Sequence, residues 1–152
     1  MTMLYKQILV AVDGSKQAEL AFKKSVGIAA RNKAILYLTS VIDNQSFGTI
    51  ESYGREFVEE SIKYAEKLLT DYRARAVAAG VPDVNIVIEV GSPKTLIPVD
   101  LVRRFNIDLI ICGATGTNSA ERIFMGSVSE RIVRAAKCDV LIVRTEEKEE
   151  QS

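Results

Sequence analysis

One stretch of the chain combines glycines and hydroxyl-bearing residues in the way that a phosphate-binding loop requires. Residues 113–130 read GATGTNSAERIFMGSVSE and follow the apolar run LIIC directly. Gly113 and Gly116 let backbone N–H groups approach an anion closely and permit positive φ angles. Gly126-Ser127 would present the first free N–H groups of a helix, whose dipole favours phosphate, and the hydroxyls of Ser127 and Ser129 can donate further hydrogen bonds.

The same residues also have simpler explanations, which stay open. The segment could be no more than a long connection. The pattern Ser127-Val128-Ser129-Glu130 is a capping box, in which Ser127 would cap its own helix and Glu130 would reach back. Asp13-Gly14 is likewise a turn signal, and Asp13 could cap the following helix together with Ser15.

The common nucleotide-binding signatures are absent. A Walker A loop needs a lysine before its Ser or Thr, whereas Gly126 is followed directly by Ser127. The dinucleotide fingerprint GxGxxG does not occur. The spacing found is Gly, two residues, Gly, nine residues, Gly-Ser.

Composition excludes several classes of function. The chain has 152 residues, 20 basic and 20 acidic side chains and a net charge of zero, which fits one domain and argues against binding to nucleic acid or anionic membranes through bulk charge. Histidine is absent, which removes Ser-His-Asp and Cys-His mechanisms and the commonest zinc ligand. The remaining chemistry would use carboxylates, a metal held by oxygen atoms, or a bound nucleotide.

The two cysteines and the apolar segments indicate a cytoplasmic protein. Cys112 and Cys138 lie in or beside apolar runs without a CxxC motif, so we expect buried, reduced thiols. The apolar stretch before Asp13 is too short for a signal peptide, and no segment approaches the ~20 apolar residues that span a bilayer. We therefore expect a soluble protein.

Apolar, β-branched runs alternate with helical patterns along the chain. Strands are predicted at Gln7–Val12, Ala34–Ile42, Val84–Val90, Asp108–Cys112 and Asp139–Val143. Helices are predicted at Ser15–Arg31, from about Glu51 to Ala79, from Ser92-Pro93 with a kink or a shifted start at Pro98, and at Ser127–Lys137. This order predicts an α/β fold, one parallel sheet with helices on both faces.

The parallel sheet brings the candidate residues to one edge. Asp13 and Gly113 each follow the carboxyl end of a strand, where open α/β sheets bind ligands. The polar stretch 43–50 is predicted to be a mobile loop. Residues 1–145 are predicted to form the single domain, and residues 146–152 a disordered acidic tail.

With these motifs the chain resembles the ATP-binding universal stress proteins, which carry G-x2-G-x9-G-[ST]. Gly113, Gly116, Gly126 and Ser127 match that motif at every position. The resemblance covers nearly the whole chain, including the opening ILVAVDGS, the turn at Gly91-Ser92-Pro93 and the closing segments GSVSER and VLIVR.

The resemblance implies an open five-stranded sheet of order 3-2-1-4-5 that binds ATP, with Mg²⁺ or Mn²⁺ as the accompanying ion. It implies that Asp13 contacts the ribose or holds the metal, that Val41 offers backbone groups to adenine, and that Ala11 lines the base pocket. The full set of binding residues it implies is Ala11, Val12, Asp13, Val41, Cys112, Gly113, Thr115, Gly116, Arg122, Gly126, Ser127, Val128 and Ser129.

Two departures from the family pattern bear on function. Thr117-Asn118 stand where the family often has a basic residue, so phosphate charge would fall to backbone dipoles, to Arg122 or to the metal. Asp139 replaces a usual proline before the last strand.

Three functions follow from these observations. The favoured one is a regulatory stress-response protein that binds ATP without fast turnover. A slow ATPase or another nucleotide-using enzyme on the same fold is the alternative, with Asp13 and Glu130 as the candidate bases. A structural dimer without nucleotide is the third. In each case we expect a homodimer formed through Asp139–Val143, an apolar strand at the sheet edge that would otherwise be open to association.

Overall fold

Five parallel strands form the centre of the protein. The structure is a computed structural model that describes residues 4–44, 51–114 and 125–144. In the second of these ranges the side chains are described from residue 54 onward. The strands are β1 (Gln7–Ala11), β2 (Ile35–Ile42), β3 (Asp83–Val90), β4 (Leu109–Gly113) and β5 (Asp139–Val143). Their order in the sheet is β3-β2-β1-β4-β5. This confirms the predicted fold class and strand order, with strand limits that differ from the predicted ones by one residue at most.

Side chains alternate between the two faces of the sheet, as the pleat requires. Ile8 and Val10 of β1 belong to one buried cluster, and Leu9 with half-buried Ala11 to the other. The same alternation holds in β4, where Ile111 joins the first cluster. Because both faces are covered, these strands are apolar almost throughout, which explains the continuous apolar runs in the sequence.

Two long helices cover the first face. They are α1 (Lys16–Asn32) and α2 (Glu51–Ala78). The buried side of α2 comprises Ala65, Leu69, Tyr72 and Ala76, spaced by three and four residues as an amphipathic helix requires. Its predicted periodicity is therefore confirmed. None of the helices within the described residues is both long and apolar enough to cross a bilayer.

The second face is covered by shorter helices. α3 (Pro93–Thr95) leads into a π-helical segment (Leu96–Leu101), which continues as α4 (Val102–Phe105), and α5 (Ser127–Ala135) follows β4. The disturbance predicted at Pro98 is this change of helix type. Proline has no N–H to donate and so interrupts the α-helical hydrogen-bond series, and the π-helical segment lies at this interruption, as short π-helical turns within α-helices do.

Hydrogen bonds hold the amino-terminal edge of the sheet. The Asp108 carboxylate accepts hydrogen bonds from the N–H groups of Lys6 and Gln7, at 2.9 and 3.1 Å. The Tyr5 hydroxyl donates to Asp139 Oδ2 at 2.6 Å, and this bond is the first cause of the raised pKa of Tyr5. The aspartate at the start of β5 therefore links that edge strand to the beginning of the chain.

A mixed polar and aromatic cluster joins α1 to α2. The Glu19 carboxylate accepts hydrogen bonds from the Arg75 guanidinium and from the Tyr72 hydroxyl, each at 2.6 Å. The rings of Phe22 and Tyr72 stack with centroids 4.2 Å apart, and the Arg75 guanidinium lies 5.0 Å from each ring centre. Hydrogen bonds from Arg75 and then Tyr72 hold the pKa of Glu19 below its ordinary value.

Three predicted features lie wholly or largely outside the described residues. These are the mobile loop at 43–50, apart from Asp43 and Asn44, the disordered tail at 146–152, and the end of the domain at residue 145. They stay predictions.

The cluster around Glu19 leads to a prediction for stability. Glu19→Gln keeps the size of the side chain but removes its charge, so the variant should lose about 1 kcal/mol of unfolding free energy near neutral pH, measured by urea denaturation. Because folding lowers the pKa of Glu19, its contribution is present above the ordinary carboxyl pKa of about 4.3 and is lost as the pH falls through the folded-state value. The two proteins should therefore become equally stable in acid.

Asp71→Asn is the matched control. Asp71 lies 3.6 Å from the same guanidinium, but its side chain is 67% exposed, so this variant should change stability by less than about 0.5 kcal/mol. A gap between wild type and Glu19→Gln that persists unchanged in acid would contradict the electrostatic account.

Candidate functional site

The candidate site lies at the carboxyl edge of the sheet, between β1 and β4. β1 pairs with β2 on one side and with β4 on the other, with Val10 opposite Leu38 and Ile111 respectively. The chain therefore forms β2 and β3 on one side of β1 and then returns to form β4 and β5 on the other side. This reversal of strand order opens a crevice beyond the strand ends, the usual ligand position in such sheets.

Asp13 lies just beyond β1 and is exposed. Its Oδ1 accepts a hydrogen bond from the Ser15 N–H at 3.0 Å, and Ser15 Oγ in turn caps α1 by accepting from the Ala18 N–H at 3.1 Å. Gly14 between them has a φ of +88°, a conformation that favours glycine. The interpretation as a turn is therefore confirmed, whereas the residue that caps α1 is Ser15 and not Asp13. Asp13 Oδ2 makes no hydrogen bond with the described residues.

Gly113, the last residue of β4, packs against the first turn of α1. A Cβ atom added to Gly113 would lie 2.8 Å from Gln17 Cβ and 3.1 Å from the Gln17 carbonyl carbon and oxygen. Glycine is needed here for close packing between a strand and a helix. Positive φ values occur at Gly14, Gly80 and Gly91, so the positive φ that the sequence permitted at Gly113 is not used.

The first turn of α5 begins without a side-chain cap from its own N-cap residue. That residue is Gly126, with φ −68° and ψ 163°, and glycine has no side chain with which to cap the helix. The capping box with Ser127 as cap is therefore not formed, because the helix already begins at Ser127. Glu130 instead pairs with Arg134 at 3.3 Å. The N–H groups of Ser127 and Val128 are left in the orientation in which helices bind anions.

Two hydrogen bonds hold the base of this loop. The Gly126 N–H donates to the Ala114 carbonyl at 2.7 Å, so the chain returns to the end of β4 before α5 begins. The buried Ser129 hydroxyl donates to the Gly113 carbonyl at 2.6 Å. This corrects the role given to the Ser129 hydroxyl as a donor to phosphate, because its single hydrogen is already used within the protein.

The apolar residues among the predicted nucleotide-binding residues divide between the two faces. Ala11 and Val41 are half-buried and pack with the cluster under the π-helical segment, α4 and α5. Val12 is buried on the opposite face with α1 and α2, so its side chain points away from the other two. Cys112 is 4% exposed, and burial raises the pKa of its thiol to about 11, so it stays protonated and apolar in character.

Part of the predicted site lies outside the described residues, namely Thr115, Gly116 and Arg122. Across residues 4–44, 51–114 and 125–144, no group of three or more His, Cys, Asp or Glu side chains could hold a metal ion. A metal at Asp13 would therefore need ligands from the nucleotide or from other oxygen atoms of the protein.

Gln17 is a residue of this region that the sequence analysis missed. Its side-chain Oε1 is buried and has no hydrogen-bond partner in the described part of the chain. Buried polar atoms are normally paired, and the Cβ and backbone atoms of the same residue lie against Gly113. A lone glutamine in the first turn of a helix gives no signal of this kind in the sequence.

Comparisons with known proteins agree with one another. The chain matches the sequence model of the Universal stress protein family over residues 4–144. A protein of Staphylococcus aureus (strain USA300) that is named as a universal stress protein is 52% identical over 143 residues, which make up 94% of this chain and 86% of the relative.

Two solved structures show the same architecture. The universal stress protein UspA from Lactobacillus plantarum has a TM-score of 0.88 and 32% identity, covering 94% of this chain and 100% of its own. A universal stress protein solved in complex with cAMP has a TM-score of 0.70 and 27% identity, covering 95% of this chain and 100% of its own.

The packing at Gly113 leads to a second prediction. Gly113→Ala should lower the free energy of unfolding by about 1–3 kcal/mol, because the added methyl group meets backbone atoms that have no room to move. Gly27→Ala is the control: its Cβ would meet the flexible end of Arg31 at 3.2 Å, and alanine is the better helix former by about 1 kcal/mol. In urea denaturation, Gly113→Ala should lower the free energy of unfolding and Gly27→Ala should raise it. An equal effect of the two substitutions would contradict the packing account.

Proposed function

We propose that this chain, which belongs to the universal stress protein family, is a regulatory protein of the stress response that binds ATP without fast turnover. The observation that carries the proposal is the uncapped first turn of α5 at the crevice between β1 and β4. An adenine nucleotide is also the ligand in the structural relative solved with cAMP.

The residues present fit such a ligand. The N–H groups of Ser127 and Val128 suit phosphate oxygens, and half-buried Ala11 and Val41 offer an apolar surface to a base. The buried, unpaired Gln17 Oε1 is a further acceptor at the same edge. Thr115, Gly116 and Arg122 complete the proposed contacts in the loop.

A metal ion fits as the partner of the phosphates. Mg²⁺ or Mn²⁺ prefers oxygen ligands and usually binds through one or two carboxylates plus substrate phosphates. Asp13 Oδ2 supplies such a carboxylate oxygen. When bound, the ion would neutralise the phosphate charge that a basic residue often neutralises in proteins with the family pattern.

The side chains near the crevice favour binding over catalysis. Glu130 is paired with Arg134, and Asp13 accepts a hydrogen bond from Ser15 through Oδ1 while we assign its Oδ2 to the metal ion rather than to a general base. Burial raises the pKa of both Cys112 and Cys138 to about 11, which leaves the thiols protonated and poorly nucleophilic. We therefore propose that ATP occupancy, rather than hydrolysis, carries the signal.

We also propose a homodimer through β5. This strand pairs with β4 alone and lies at the edge of the sheet. Its residues Val140, Leu141 and Ile142 are only half-buried, and an apolar edge strand of this kind invites pairing with a second copy. Two-fold pairing would cover both edges with one self-complementary contact.

The nucleotide proposal predicts the effect of a bulky residue at the N-cap. Gly126→Val should abolish ATP binding in calorimetry, because its side chain would fill the space in which phosphate approaches the Ser127 N–H. The fold should persist, since φ at this position suits any residue. Gly27→Ala in α1 serves as control and should bind ATP like the wild type. Unchanged ATP affinity in Gly126→Val would show that the pocket lies elsewhere.

Phosphate release measured on the same samples separates a binding protein from an enzyme. Turnover of ATP at the usual enzyme rates of about 1–1000 per second would contradict the regulatory proposal. Loss of such turnover in Asp13→Asn would then give Asp13 a catalytic role.

The dimer proposal predicts a monomer on substitution of the edge strand. Ile142→Lys places like charges close to the two-fold axis, so light scattering should show the mass of a monomer. Val77→Lys makes the same chemical change at a side chain that is 56% exposed on α2, away from β5, and should leave the dimer intact. A wild-type protein that is itself monomeric would disprove the proposal directly.

A further inference from the structure

A basic groove separates the start of α3 from the outer side of α5. It has a volume of about 430 Å³, within the range of small-ligand sites. Its lining carries three cationic side chains, three hydroxyls and one carboxylate. These residues are Ser92, Lys94, Thr95, Ser127, Glu130, Arg131 and Arg134.

The positive charge in this groove is largely uncompensated. Lys94 and Arg131 are exposed, and neither forms an ion pair with any residue that the structure describes. Arg134 is paired with Glu130 at 3.3 Å, which reduces the effect of the one carboxylate in the lining. Two free cations and a neutralised pair leave a net charge near +2 facing the solvent in the groove.

Two hydroxyls of the groove form no hydrogen bond with the part of the chain that the structure describes. Ser92 precedes α3 without capping it, and Ser127 is the first residue of α5, whose N-cap is Gly126. A phosphoryl group in the groove could therefore accept hydrogen bonds from hydroxyls and charge-assisted ones from Lys94 and Arg131, the stronger class.

The groove shares Ser127 with the proposed nucleotide site. Ser127 lines the groove and also follows Gly126, which is hydrogen-bonded to Ala114 at the end of β4. A nucleotide whose α-phosphate lay at the first turn of α5 would therefore have its outer phosphates within reach of the adjoining groove. Lys94 and Arg131 would then supply the charge that Thr117-Asn118 do not.

We propose that this groove is a phosphoryl-binding site and that it takes the terminal phosphates of the nucleotide. This inference rests on the proposed function and adds to it a basis for discrimination. A nucleotide with three phosphates reaches the two cations, whereas a monophosphate ends at the first turn of α5. The groove therefore gives the protein a higher affinity for ATP than for AMP.

The test compares two doubly substituted proteins by calorimetry. The groove variant combines Lys94→Met with Arg131→Gln. The control variant combines Arg103→Gln with Lys137→Met, which removes two exposed cations outside the groove lining. Each protein is titrated with AMP, ADP, ATP and tripolyphosphate, and circular dichroism verifies the fold.

The expected result is that the groove variant binds ATP about tenfold or more weakly, while AMP affinity stays within about twofold of wild type and the control variant is unchanged. ATP affinity that is equal in all three proteins would overturn the proposal. An equal loss for AMP and ATP, or an equal loss in the control, would overturn it as well, since the effect would then be general.

The four ligands also separate this proposal from the one on which it rests. Wild-type protein that binds tripolyphosphate through Lys94 and Arg131 but binds no AMP, ADP or ATP would retain the groove as a phosphoryl site and disprove nucleotide binding. Wild-type protein that binds AMP and ATP equally well would retain nucleotide binding and disprove the groove. Binding of none of the four would disprove both.

Discussion

The site depends on one close contact, that between Gly113 and the first turn of α1. Because Gly113 has no side chain, the end of β4 can approach the Gln17 backbone to a distance that a Cβ atom would not allow. The same residue accepts the Ser129 hydroxyl hydrogen bond through its carbonyl oxygen. A single glycine therefore fixes α1 on one face of the sheet and α5 on the other, and the crevice at the strand ends takes its shape from both. The role that the structure shows for Gly113 is one of packing, and the proposed ligand site would be built on that packing.

Much of this fold could be predicted from the residues alone. Strands buried on both faces are read from continuous apolar runs such as Leu109–Cys112, and the helix at Glu51–Ala78 from apolar positions repeated by threes and fours. The order of the strands came with the family resemblance, because periodicity gives no information on which strands are neighbours. The position of Asp13 at a strand end followed from the strand assignment, and its hydrogen bond to Ser15 from the preference of Asp-Gly for turns.

What the sequence left open depends on contacts between distant residues. Whether a serine caps its own helix or bonds to a neighbouring strand is decided by tertiary packing. The sequence therefore left the capping box at Ser127 undecided and gave no sign that the Ser129 hydroxyl bonds to the Gly113 carbonyl. The buried position of Gln17 Oε1, which has no hydrogen-bond partner among the described residues, likewise depends on packing that the local sequence does not specify. The basic groove also depends on contacts between distant residues, since Lys94 and Arg131 come from different helices. Neither residue belongs to a sequence motif that would have predicted it.

The hydrogen bond between the Gly126 N–H and the Ala114 carbonyl has a consequence for chain length. It closes the segment between these residues at its base, and the entropy of closing a flexible segment grows only with the logarithm of its length, about 0.6 kcal/mol for each doubling. Closure would thus tolerate many lengths almost equally well. The nine-residue spacing between Gly116 and Gly126 is therefore not imposed by the scaffold, and we expect a lengthened variant to keep its fold while losing the alignment of these glycines with the proposed ligand.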